Sequence, residues 1–130
     1  AACGRSMAPE WVVEANTATV LDAARALLAR RERPDGVAVF TKPAAQALRQ
    51  AAEERGAKLG KDLRAVGWSA AECYESEHRA VFAGGPMPPA VVWQAHSMAE
   101  AALDLLGQQH GGDAAEPRRV LVPTRLKFAE

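Results

Sequence analysis

Aromatic side chains are scarce in this 130-residue chain, which has three Trp, three Phe and one Tyr. Cysteine is scarcer still: Cys3 and Cys73 lie far apart, too sparse for the disulfide framework of a small secreted domain. Two free thiols in a cytoplasmic protein are the expectation. No apolar run is long enough to cross a bilayer and no signal-peptide pattern is visible, so no membrane partner is expected. Nor is one sign of charge in excess. Sixteen basic groups offset sixteen acidic ones, and no global field draws the chain to nucleic acid. Glu72, Glu75, Glu77 and His78 lack the HExxH spacing of a metal site, and Gly84-Gly85 lacks the lysine and hydroxyl of a phosphate loop. No nucleophile motif accompanies Cys73, His78 or His96. No cofactor, metal or catalytic residue is expected, and the sequence reads as a binding protein.

What is present fits one soluble domain, with 48% apolar and 25% charged residues. The stretch from Arg33 to Ser69 organises it. Val37-Ala38-Val39-Phe40 is short, β-branched and bounded by Pro34-Asp35-Gly36, the pattern of a buried strand. Thr41 stands as an N-cap before Pro43, which suits the first turn of a helix. Ala44, Ala45, Leu48, Ala51 and Ala52 share one helical face, with Gln46, Arg49, Gln50, Glu53 and Glu54 opposite and Gly56 at the stop. A second apolar run, Leu63 to Trp68, follows. Strand, helix over residues 43–55 and strand make a βαβ unit with parallel strands.

The rest is placed around that unit. Trp11-Val12-Val13 reads as a strand and Thr19 with Asp22 as a capping box. Val20, Ala24, Leu27 and Leu28 give the next helix its apolar face, and Arg30, Arg31 and Arg33 form its solvated end. Arg79 to Ala83 reads as an edge strand before a Gly84-Gly85-Pro86 turn, and Ala90 to Trp93 as a further strand. Ala95, Met98, Ala99, Ala102, Leu105 and Leu106 form a helical stripe expected to be core, ending near Gly107, with His96 solvated at its start. Gln108 to Pro117 reads as a connector and Val120 to Phe128 as an extended end, with Pro123 marking an edge or bend.

The order of these segments resembles the effector-binding region of LacI/GalR-type transcription regulators, which share the fold of periplasmic sugar-binding proteins. The resemblance rests on the register from Pro34-Asp35-Gly36 through Gly67-Trp68-Ser69. It is supported by Pro88-Pro89 with Trp93-Gln94, the helix from Met98 to Leu106, and Val120 to Leu126 as the closing strand. It implies an α/β fold: the parallel-sheet, three-layer lobe of a periplasmic-binding-protein-like domain, incomplete in this chain. Residues 1–130 would be part of the effector-binding domain, lacking the first strand of the second lobe and the helix-turn-helix.

In open parallel sheets ligands bind beyond the carboxyl ends of the strands. The candidate ligand-binding residues are therefore Thr41, Lys42, Trp68 and Ser69. The family places Asn-Asp and Gly-aromatic-Asp where this chain has Thr41-Lys42 and Gly67-Trp68-Ser69. The exchange of acidic groups for Lys42 and Ser69 points to an anionic effector; the rival reading makes Lys42 a solvated helix-start residue. The resemblance implies a small-molecule effector, a homodimer or companion fragment that completes the sheet, and DNA only through the absent helix-turn-helix. A transport component of the same fold and a small α/β enzyme using Cys73, His78 or His96 are the competing functions.

Overall fold

The computed structural model describes residues 8–82, 87–110 and 120–128. Its elements are α1 (Val20–Ala29), β1 (Gly36–Val39), α2 (Lys42–Glu53), β2 (Arg64–Ala70), α3 (Tyr74–Val81), β3 (Ala90–Trp93), α4 (Ala95–His110) and β4 (Arg125–Lys127). The strands lie in the order β1-β2-β3-β4; the first three are parallel and β4 runs antiparallel to β3. Val37 faces Ala65 and Val39 faces Gly67, so the expected βαβ unit is realised with its strands as direct neighbours.

Helix α2 forms for the reasons its sequence gives. The Thr41 hydroxyl accepts the Ala44 N–H at 3.3 Å, satisfying a first-turn donor that has no partner within the helix. Ala45, Ala47, Leu48, Ala51 and Ala52 are buried, and small side chains on that face let the helix lie close to its neighbours. At the other end Gly56 takes φ 72°, while its N–H and that of Ala57 donate to Glu53 and Ala52. That pair of bonds is a Schellman stop, and only glycine enters it without strain.

All three core helices sit on one side of the sheet. Val39 and Ala65 share a hydrophobic cluster with Ala24 and Leu28 of α1, Leu48 and Ala51 of α2, and Val81 of α3. Tyr74 of α3 packs on Ala90 and Val92 of β3, on that same side. Alternation then sends Ala38, Phe40, Val66, Trp68, Val91, Trp93 and Leu126 to the opposite side. There Phe40 is 64% and Trp68 37% exposed, and no helix covers them among the described residues. The three-layer lobe is present as two of its layers.

Several local expectations fail. Trp11 ends a 3₁₀ turn, Pro9–Trp11, and Val12 and Val13 lie outside any strand, although the outer edge of β1 pairs with no strand among the described residues. Helix α1 is led in by Asn16: its Oδ1 accepts the N–H groups of Ala18 and Thr19, and Thr19 makes no side-chain cap. Arg79 to Phe82 belong to α3 and its C-cap, not to a strand; Ala83 and the Gly84-Gly85-Pro86 turn lie outside the described residues. Helix α4 runs past Gly107 to His110, and residues 111–117 of the expected connector lie outside the description. Its stripe is not core: Met98 is 46% and Leu106 51% exposed.

Candidate functional site

The carboxyl ends of β1 and β2 meet α2 and α3 around a cavity of about 20 Å³, room for one water. Thr41, Lys42 and Ala45 line it from α2 and its cap; Glu77, His78, Val81 and Phe82 line it from α3. A larger cavity of about 90 Å³ lies at the other end of the sheet, between Leu28, Arg33, Asp35, Arg55 and Asp62. Parallel strands place ligand chemistry at their carboxyl ends, so the smaller one marks the candidate site.

Thr41 and Lys42 stand together at its edge, both exposed. Thr41 is committed to capping α2, whereas the Lys42 ammonium has no ion-pair or hydrogen-bond partner among the described residues. The other two candidates diverge. Trp68 also borders the cavity, but its ring stands on the bare side of the sheet, 5.7 Å from the Phe40 ring and 5.1 Å from that of Trp93. Ser69 points the opposite way and is 2% exposed. Its Oγ donates to Glu77 Oε2 at 2.7 Å, a short charge-assisted bond. Ser69 therefore acts on Glu77 and offers no free donor to a ligand.

Glu77 and His78 also line the cavity and were not among the candidate ligand-binding residues. The replacement of the family's acidic groups suggested a cleft of positive sign, yet α3 returns a carboxylate to it. The signal was there: Tyr74, His78, Val81 and Phe82 follow the i, i+4, i+7, i+8 spacing of a buried helical face. That face turns Glu77 toward β2. His78 is 8% exposed, lies between the rings of Tyr74 and Phe82, and leaves Nδ1 without a formed hydrogen bond. Burial pushes its pKa below the usual imidazole value, opposed by the Tyr74 carbonyl and the Glu77 charge. Among the described residues no cluster of His, Cys, Asp or Glu is placed to hold a metal, and no helix is long and apolar enough to cross a membrane.

A mostly parallel sheet with its core helices on one side defines an α/β domain, and comparison makes the class specific. The sequence pattern of the periplasmic binding protein-like domain matches residues 2–128. The chain belongs to that family. No curated protein matches it, whereas 17 chains of solved structure do. One is an uncharacterized protein from Actinobacillus succinogenes, 21% identical over 88% of this chain, with a TM-score of 0.60. Another is the transcriptional regulator CelR in complex with cellobiose, 20% identical over 87% of this chain, with a TM-score of 0.65. The chain spans 39% and 32% of their respective lengths, and at these identities the likeness is one of fold.

Proposed function

We propose that this chain is the ligand-sensing portion of a LacI/GalR-like bacterial transcription regulator. A small-molecule effector binds at the carboxyl ends of β1 and β2 and biases a two-state equilibrium that sets the DNA affinity of the whole protein. The observation that carries the site is Lys42, which lines that cavity beside Thr41 and whose ammonium has no partner among the described residues. An ammonium on the first turn of a helix opposes the helix dipole, so a bound carboxylate or phosphate relieves an unfavourable placement. The effector is accordingly anionic. That a structural neighbour of the same fold is a regulator holding a disaccharide supports the sensing role, without carrying its ligand over.

The partners follow from the same picture. DNA contact belongs to a helix-turn-helix outside these residues, and such a regulator works in the cytoplasm. The bare apolar side of the sheet supports a second copy or a companion fragment as its cover. Binding, not turnover, is the activity proposed. Calorimetry on the intact protein tests the site: Lys42→Ala should weaken acidic ligands about tenfold and leave neutral sugars unchanged. Tight binding of a neutral sugar that ignores Lys42→Ala would overturn the anionic reading.

A further inference from the structure

Lys42 and Glu77 line the same small cavity, carry opposite charge, and are not paired with each other. Glu77 is half-buried and held from one side only: Oε2 takes the Ser69 hydroxyl, and Oε1 accepts no hydrogen bond among the described residues. Ser69 has one proton to give. The Ala70 carbonyl at 3.1 Å competes for it, but the ionised oxygen at 2.7 Å is the closer and stronger acceptor. Glu77 Oε1 is not among the buried polar atoms, so water reaches it in the free protein, and a ligand that covers it must supply a donor in place of that water. The cavity admits one water, which can fill that role in the free protein and be displaced.

We propose that Glu77, clamped by Ser69, is a second ligand-contacting group of the cleft, and that the effector carries two features on one small molecule. One is an anionic group for Lys42; the other is a hydroxyl or ammonium donor for Glu77 Oε1. This rests on the reading of the cavity as the effector site, and adds that Glu77 selects among acids. A simple acid satisfies Lys42 but dries the carboxylate without a donor, so acids lacking a donor are rejected. Ser69 is a positioning residue, acting through Glu77 alone.

The test is calorimetric titration of the intact protein with four six-carbon probes: hexanoate, gluconate, 6-aminohexanoate and sorbitol. Gluconate or 6-aminohexanoate should bind at least tenfold tighter than hexanoate, the tighter of the two showing whether the donor is hydroxyl or ammonium. Glu77→Gln should reduce that preference to about twofold or less, raising hexanoate affinity as the penalty on a donorless acid is lifted, and Ser69→Ala should reduce it in part. Glu77→Asp, which withdraws the carboxylate by one methylene, replaces Glu77→Gln if that variant does not fold. If both donor-bearing acids bind no tighter than hexanoate while Lys42→Ala weakens all three, the role of Glu77 is wrong and the anionic site stands. If Glu77→Gln lowers the melting temperature and leaves selectivity intact, the Ser69–Glu77 bond is a structural clamp and the proposal fails. If sorbitol binds as well as gluconate, or no probe binds, the effector-site reading fails with it.

Discussion

Among the described glycines, Gly67 sits in a close fit that leaves no room for a side chain. A Cβ there would run into His78 Nε2 and stand 2.9 Å from Cδ2, because α3 rests its imidazole directly on the β2 backbone. The glycine is required by this close approach, not by its backbone angles, which are those of a strand. Gly67→Ala should therefore destabilise the fold by about 2 kcal/mol, as overpacking does, since a ring wedged between Tyr74 and Phe82 cannot retreat. Denaturant titration checks it: the midpoint should fall with the slope unchanged, and His78→Ala in the same chain should recover part of the loss. A midpoint equal to that of the parent would show that α3 shifts freely. At this scale the sequence was only half legible. Thr41, Lys42 and Gly56 could be placed from turn and capping chemistry, which is local. The Ser69–Glu77 and Gly67–His78 pairs join a strand to the following helix, and depend on which side of β2 that helix lies.

Helix α3 shows why that step failed. Its buried positions are Tyr74, His78 and Val81, and a histidine in the middle of an apolar face reads as a break in the pattern. Once the helix is formed, His78 carries a pH dependence. Its folded pKa lies below the ordinary 6.5 because burial disfavours the imidazolium, with the Glu77 charge and Tyr74 carbonyl opposing. The unfolded chain then binds the proton more readily than the folded one, so stability is full above about pH 6.5. It is lost as pH falls from there through the depressed folded value. His78→Phe should flatten that part of the stability curve, measured by denaturation between pH 7 and 5; an unaltered slope would assign it to other groups. Helix α4 erred in the other direction. Its period correctly announced a helix with an apolar stripe, but a period says which side is apolar and not what covers it. Met98 at 46% and Leu106 at 51% exposed show that the stripe stands largely open among the described residues.

For the molecule as a whole, the alternation of strand and helix made the parallel sheet and its neighbours legible, because βαβ units leave few arrangements open. What remained hidden was the coverage of its two sides. A buried parallel strand and a half-bare one are written with the same apolar letters: Val66, Trp68 and Val91 read as core and stand on an open side. An apolar side of that extent should drive association of the 130-residue chain. Sedimentation should show a mass that rises with concentration, and Phe40→Ser with Trp68→Ser should suppress the rise; a mass independent of concentration in the parent chain would contradict it. The ladder that forms this side also has an optical consequence. The Trp68 and Trp93 indoles are 5.1 Å apart and inclined by 36°, close enough for their electronic transitions to couple. The pair should give a signed doublet in the far-ultraviolet circular dichroism, and an emission maximum that moves to the blue when another surface shuts out the water. The protein thus carries its own dye at the place where a third layer belongs, and its spectrum reports whether that layer has arrived.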